Sequence, residues 1–128
     1  MKSIANHIQT HADALNLRSK RNEILASNIV NSATPNFKAR DIDFNEALRA
    51  RMDVGPVNVS NERHFKFYTG SGDEAAQFRQ SINPSADGNT VELHVEQMQF
   101  SENVMRYQTS LEFLNRKFSG LISAIKGE

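Results

Sequence analysis

The fold of this chain is decided by the stretch LASNIVNSATPNFKARDIDF, which runs from Leu25 to Phe44. It continues an apolar helical spacing from upstream and then reaches Pro35, which lacks the backbone N–H that a helix needs and restricts the residue before it. We therefore predict that the helix ends between Ile29 and Ser32. Its last turn carries Asn28 and Asn31, and we expect both amides to bond carbonyls that the ending helix leaves unpaired.

The N-terminal helix is predicted from about Ser3 to Val30, with a heptad pattern along one face. Its seam positions are Ile4, Ile8, His11, Leu15, Arg18, Asn22, Leu25 and Ile29. The middle of this seam is polar, and a simple two-stranded coil would bury it at a cost. Two explanations stay open: the polar residues fix the register of the pair, or they meet a second partner. Leu17 and Ile24 lie off the seam and indicate a second packing surface.

A second long helix is predicted at the C-terminal end. Asp87-Gly88 indicates a turn, and Asn89 with Glu92 three residues later fits a capping box, so we expect the helix to start at Asn89. From its second turn a heptad seam continues almost to the end of the chain. Its positions are Phe100, Val104, Tyr107, Leu111, Leu114, Phe118, Leu121 and Ile125.

The two helices, about 40 and 50 Å long at 1.5 Å per residue, cannot bury their stripes alone. The simplest solution is an antiparallel pair, with Ile29 near Leu93, Leu15 near Tyr107 and Ile8 near Leu114. The predicted class is therefore mainly α: a coiled coil of long terminal helices with an irregular middle. Residues 1–32 and 89–128 together form one inner domain, and residues 33–88 form the excursion between them.

The middle of the chain is broken repeatedly by turn-forming sequences, at 55–56, 70–73 and 83–85. Phe44, Ala47 and Leu48 support one short amphipathic turn, and His64 to Tyr68 alternates like a short strand. A single short strand needs a partner to be stable. We expect this excursion to be irregular or weakly ordered until it contacts other molecules.

Composition excludes several classes of function. Fifteen basic residues balance 15 acidic ones, which argues against a nucleic-acid or anionic-membrane partner. The absence of cysteine excludes disulfides, thiol nucleophiles and zinc–cysteine sites. No apolar run reaches the roughly 20 residues that span a bilayer. His7, His11 and Asp13 interrupt what would be the apolar core of a secretory signal, so export, if it occurs, should be uncleaved.

Catalytic, metal and cofactor sites are not predicted. His7 and His11 have a spacing that can bind zinc, but no Glu follows His7 as in hydrolytic zinc helices, and a hydrogen-bonded seam histidine is favoured. His64 and His94 have no nearby nucleophile pattern. The glycines at 70 and 72 lack the Lys-Ser/Thr of a phosphate-binding loop and indicate a flexible loop.

Two parts of the chain together resemble the bacterial flagellar rod and hook proteins, most closely those of the proximal rod. The first part, within residues 14–44, includes Leu25, Ala26, Asn28, Ile29, Asn31, Thr34, Pro35, Phe37, Arg40, Asp41 and Phe44. The second part includes Asp87, Gly88, Asn89, Thr90 and Val91, followed by Glu96, Asn103 and Tyr107. The family usually has Gly-Tyr where this chain has Asn36-Phe37. Asn is the next best residue at positive φ, so we expect the same turn.

The resemblance implies a structural subunit without enzymatic activity or cofactors. Its terminal helices would form the inner coiled coil of a helically stacked axle that transmits torque from motor to hook. The implied partners are copies of itself, other rod proteins, ring or adaptor proteins at the rod base, and the flagellum's own export apparatus. The implied location is the basal body in the periplasmic space. Phe44 and Leu48 match a loose pattern for docking at the export gate.

A competing class is a coiled-coil adaptor, or another secreted helical hairpin, unrelated to flagella. It would share the seams but would need none of the signature between Asn28 and Phe44. A nucleic-acid-binding helical protein is a poorer third alternative, given the charge balance.

Overall fold

The computed structural model describes residues 2–52, 76–83 and 85–127, with side chains from residue 8 onward except at positions 50 and 52. Its elements are α1 (Lys2–Val30), β1 (Arg40–Asp41), α2 (Phe44–Met52), β2 (Gln77–Phe78) and α3 (Leu93–Lys126). The predicted strand at 64–68 and the turns at 55–56 and 70–73 lie outside the described residues. The mainly α class with long terminal helices is confirmed.

The two long helices α1 and α3 pack against each other in antiparallel orientation. The ring of His11 lies 4.8 Å from that of Phe113, and the amide of Asn103 donates to Asn22 Oδ1 at 2.9 Å near the middle of the pair. Both contacts agree with the predicted register to within one helical turn. Asn22 therefore has its partner inside this chain, which favours the explanation that polar seam residues fix the register.

The largest apolar side chains with no exposed surface are Leu17 and Leu25 of α1. Leu17 indicated a second packing surface on α1, and α2 packs against this part of the helix, with an Arg51 guanidinium nitrogen 3.2 Å from the Asp13 carbonyl oxygen. The second packing surface of α1 is thus occupied from within.

The α3 seam is covered unevenly. Leu114 is buried, whereas Leu111, Phe118 and Ile125 remain 42%, 46% and 85% exposed. Val104, Tyr107 and Leu121 on α3, like Ile8 and Leu15 on α1, are half-buried. The side chain of Ile4 lies outside the described residues.

The helix ends agree with prediction at α1 and differ at α3. α1 ends at Val30, and Asn36 has the positive φ, 61°, expected of the turn that follows. α3 begins at Leu93 after Glu92, which forms no side-chain cap, so the predicted start and capping box at Asn89 are wrong. The reason is that the side chain of Asn89 is occupied by a distant part of the chain.

Both ends of the middle segment contain more regular secondary structure than we predicted. β1 and β2 form a two-stranded antiparallel sheet in which Arg40 pairs with Phe78. α2 is a nine-residue helix, longer than the single turn predicted. Its start is capped by Asp43, whose carboxylate accepts the backbone N–H groups of Asn45 and Glu46 at 2.9 and 3.0 Å.

Candidate functional site at the helix junction

The junction is the place where α1 ends, α3 begins and both ends of the middle excursion meet. The predicted motif positions there are Leu25, Ala26, Asn28, Ile29, Asn31, Thr34, Pro35, Phe37, Arg40, Asp41, Asp87, Gly88, Asn89 and Thr90. Within this set the side chains range from fully buried in the last turns of α1 to exposed in the Thr-Pro turn. Phe44 and Leu48 lie on α2, where both are half-buried.

The two amides of the last turn of α1 have different roles. Asn31 Nδ2 donates to Ser27 O at 2.8 Å, a carbonyl that also accepts the backbone N–H of Asn31 and so is not left unpaired, contrary to the prediction. Asn31 thus bonds its own helix. Asn28 does not: its Nδ2 donates to Arg40 O at 2.7 Å, and its Oδ1 accepts Arg40 N–H at 3.1 Å. Asn28 thereby supplies both hydrogen-bonding groups that a neighbouring strand would offer, and it fixes β1 on the surface of α1.

The carbonyls beyond the end of α1 are satisfied by Asn89. This residue is 3% exposed, and its Nδ2 lies 3.0, 2.9 and 2.9 Å from the carbonyl oxygens of Asn31, Ser32 and Thr34. Its Oδ1 accepts the N–H of Val91 at 2.8 Å. One side chain therefore terminates α1 and orients the entry to α3. Sequence reasoning missed this contact, because the partners are 55 to 58 residues apart.

The segments that leave α1 and enter α3 are hydrogen-bonded to each other. Asn36 N–H donates to Asp87 O and Thr90 N–H donates to Phe37 O, each at 3.0 Å. Gly88 has a φ of 77°, and a Cβ on it would lie 2.7 Å from the Asn36 side-chain oxygen. Two positive-φ residues thus meet here, and the backbone conformation at position 88 strongly favours glycine, whereas a Cβ there would also displace the Asn36 side chain.

A buried carboxylate ties the returning end of the excursion to both helices. Glu96 is 1% exposed, accepts a hydrogen bond from Asn28 Nδ2 at 3.1 Å and pairs with Arg79 at 2.9 Å. A buried charge is tolerated only when it is paired and hydrogen-bonded. Glu96 entered the sequence analysis only as a family position, since Arg79 is 17 residues away and gives no local signal.

The outgoing end of the excursion is fixed by a second ion pair. Arg21 Nε and Nη2 each donate to the Asp41 carboxylate at 2.8 Å, and Nη2 also donates to Gln99. The pKa of Arg21 is raised, chiefly by the hydrogen bonds to Asp41. This bidentate geometry is the most directional form of Arg–carboxylate pair. It connects α1, β1 and α3 at one point.

Arg18 lies beside this pair in a different environment. Its guanidinium carbon stands 4.1 Å from the centre of the Phe44 ring, a cation–π geometry. Its Nε is buried and has no hydrogen-bond partner. Burial lowers the pKa of Arg18, and the charges of Arg106 and Arg21 lower it further.

The arrangement holds polypeptide segments in place. Among residues 2–52, 76–83 and 85–127 no cluster of three or more His, Asp or Glu side chains could hold a metal ion. His11 contacts Phe113, and the side chain of His7 lies outside the described residues. No helix of the described part is long and apolar enough to cross a membrane.

Comparisons with known proteins point to one family. The family model described as flagella basal body rod protein matches residues 8–38. A flagellar basal body rod protein FlgB from Cereibacter sphaeroides is 50% identical over 128 residues, covering 100% of both chains. FlgB from Aeromonas hydrophila is 46% identical over 92% of this chain and 91% of its own, and FlgB from Salmonella typhimurium is 37% identical over 90% and 89%.

Proposed function

Because the chain belongs to the FlgB family of flagellar basal body rod proteins, we propose that its helical hairpin stacks with neighbouring subunits in the proximal rod. The resemblance found in the sequence is confirmed, and the chain is a structural subunit of the basal body rod. A coiled-coil adaptor unrelated to flagella has no support from these relatives. In our proposal the stacked subunits form the axle that transmits torque from the motor to the hook.

The observation that carries this proposal is the exposed apolar flank of α3. Leu111, Phe118, Ile122 and Ile125 remain 42%, 46%, 52% and 85% exposed in the single chain. Burying one such side chain completely is worth about 1.5–3 kcal/mol, so the flank favours association. A contact between two different faces, repeated by a rotation that does not close, builds a helical filament. The flank supports such contacts with copies of this chain and with other rod proteins.

The junction would give the stacked hairpin its outward arm. Both ends of the middle excursion are attached to α1 and α3 through Asn28, Asn89 and the ion pairs of Arg21 and Arg79. These contacts would set the direction in which the excursion leaves the axle core. We propose that residues 1–32 and 89–128 act as the inner domain and that residues 33–88 reach the ring or adaptor proteins around the rod base.

The route and location follow from the same assignment. We propose that the chain crosses into the periplasmic space through the flagellar export apparatus without cleavage of a signal peptide, and that it works without catalysis or a cofactor. Phe44 and Leu48 are the candidates for docking at the export gate. Because both are half-buried on α2, the unfolded chain would present them. Deleting 44–48 should stop secretion into the medium, and unchanged secretion would contradict this role.

The stacking proposal is tested by placing a charge on the exposed flank. In a deletion strain, Phe118→Asp should abolish swimming and remove the protein from purified basal bodies, because it buries an unpaired charge at the contact. The matched control is Ser119→Asp, which adds the same charge at the neighbouring exposed position. The helical circular dichroism of both purified chains should match that of the wild type. Normal swimming of the Phe118→Asp strain would refute the flank as an assembly surface.

A further inference from the structure

A cleft of about 450 Å³ opens between α1, α3 and the start of α2. Both charged and apolar side chains line it. The residues that matter most are Arg18, Arg21, Asp43, Phe44, Glu102 and Arg106. The cleft lies next to the junction but on a face of the hairpin that the exposed α3 flank does not include.

The positive charges around the cleft are matched by carboxylates with one exception. Arg21 pairs with Asp41, Arg79 pairs with Glu96, and Arg106 pairs with Glu102. The Asp43 carboxylate accepts two backbone N–H groups at the start of α2. Within the described part of the chain, Arg18 forms no ion pair.

Arg18 is held in place although its surroundings disfavour its charge. Its Nε is buried without a hydrogen-bond acceptor, and Arg106 and Arg21 add like charge nearby. The Glu102 carboxylate, which pairs with Arg106, offsets only part of this, because the pKa of Arg18 is still lowered. The ring of Phe44, 4.1 Å from the guanidinium carbon, compensates only part of this cost. A polar group left unsatisfied in a folded chain calls for a specific explanation. A missing carboxylate would satisfy both the charge and the hydrogen bonds.

We propose that the cleft receives an acidic side chain of a neighbouring rod subunit, whose carboxylate pairs with Arg18. The inference rests on the proposed stacking and names one of its contacts. A protein partner is favoured over a small anion because the walls include two aromatic side chains, the half-buried Phe44 and the 65% exposed Phe78. Arginine beside aromatic rings is the composition of protein–protein hot spots.

The first test separates assembly from folding. Arg18→Met keeps the apolar stem but removes the charge, so the purified chain should unfold within about 4 °C of the wild type, the shift that about 1 kcal/mol produces. In the deletion strain the same variant should lower incorporation into basal bodies at least about tenfold, since losing one partner of a buried pair is costly. Arg18→Lys should restore part of the incorporation. Arg116→Met, at a 79% exposed side chain, is the matched control and should assemble normally.

Two outcomes distinguish this inference from the stacking proposal. If Phe118→Asp blocks assembly and Arg18→Met does not, stacking stands and the cleft contact is refuted. If Arg18→Met unfolds the chain, the role of Arg18 is structural and the inference is likewise overturned.

The second test measures binding directly. The arginine Nε–H resonances of the full chain are followed by NMR while N-acetyl-glutamate N-methylamide is added. The signal of Arg18 should shift, and the shift should be absent from Arg18→Met. Inorganic phosphate is the comparison probe. A response to phosphate without a response to the capped glutamate would assign the cleft to a small anion and refute the proposal.

Discussion

Replacing Asn89 by alanine should destabilise the junction more than any other single polar substitution there. The change removes the donor that satisfies the carbonyls of Asn31, Ser32 and Thr34, and it removes the acceptor of the Val91 N–H. Alanine cannot replace either group. The end of α1 and the entry to α3 would then be joined only by their remaining bonds, which include Asn36 N–H to Asp87 O and Thr90 N–H to Phe37 O.

The magnitude follows from the number of hydrogen bonds lost, since the carbonyls of Asn31 and Thr34 each keep a backbone N–H partner. An amide nitrogen carries two hydrogens, so the three carbonyls share two donors, and the Val91 N–H adds a third bond. At a net 0.5–1.5 kcal/mol per bond, the expected loss is roughly 2–4 kcal/mol. Small domains have total stabilities of about 5–15 kcal/mol. The variant should therefore remain folded in buffer but with a much smaller margin.

Urea unfolding followed by circular dichroism at 222 nm is the assay. With a slope of about 2 kcal/mol per molar urea, the middle of the usual range, the midpoint should fall by roughly 1–2 M. Asn16→Ala, at an exposed position of α1, is the control and should change stability by less than about 0.5 kcal/mol. A midpoint of Asn89→Ala equal to that of the control would refute the reasoning.

A second variant tests the same contact through its charge. Asn89→Asp places a carboxylate against the three carbonyls, which raises the pKa of the new carboxyl in the folded state. A raised pKa gives stability that is present below the unfolded value of about 3.9 and lost as pH rises through the folded value. The free energy of unfolding of Asn89→Asp should thus be lower than that of the wild type at pH 7, and this difference should become smaller as the pH is lowered. A difference that stays constant with pH would contradict this.

Four further substitutions test other parts of the structure. Leu25→Ala, at a fully buried side chain, should lower the free energy of unfolding by about 2–5 kcal/mol in urea; a loss below 1 kcal/mol would contradict its burial. Glu96→Gln leaves Arg79 without its carboxylate and should lower the free energy of unfolding by about 1–3 kcal/mol. An unchanged urea midpoint would contradict a stabilising role of this ion pair. Asp87 has a pKa lowered by hydrogen bonds from Ser85 and from the Asn89 N–H, so it contributes stability above its unfolded pKa that is lost as pH falls through the folded one. Between pH 6 and pH 3 the thermal midpoint should therefore fall more for the wild type than for Asp87→Asn. An equal fall in both proteins would contradict this role of Asp87. Leu15→Asp puts a charge in the seam and should prevent assembly of motile flagella, whereas normal swimming would count against a buried Leu15 in the rod.

Local rules were sufficient where a residue's role depends on its near neighbours. Pro35 and the end of the apolar spacing placed the end of α1 correctly, and the left-handed preference of asparagine placed Asn36. The heptad seams predicted the antiparallel register to within a turn. In each case the deciding physics acts within a few residues or repeats along a helix.

Contacts between distant segments explain the sequence-based predictions that differ from the structure. Asn89 and Glu92 have the spacing of a capping box, but the amide of Asn89 bonds three carbonyls at the end of α1 instead, and α3 begins later. Asn28 likewise bonds a strand rather than its own helix. Leu17 indicated a second packing surface without its occupant, because α2 was predicted only as a single turn, although Asp43 provides a clear N-cap signal for that helix.

The hydrogen bonds between segments 36–39 and 87–90 have a consequence for how this architecture can vary. They close the base of the excursion, because Asn36 and Phe37 are joined to Asp87 and Thr90 independently of everything between them. For a connection whose ends are already held together, doubling the number of residues costs only about 0.6 kcal/mol. The helical hairpin can therefore tolerate insertions of different length and sequence between these two segments. Related subunits could exchange their outer modules at this base while keeping the same helical stem.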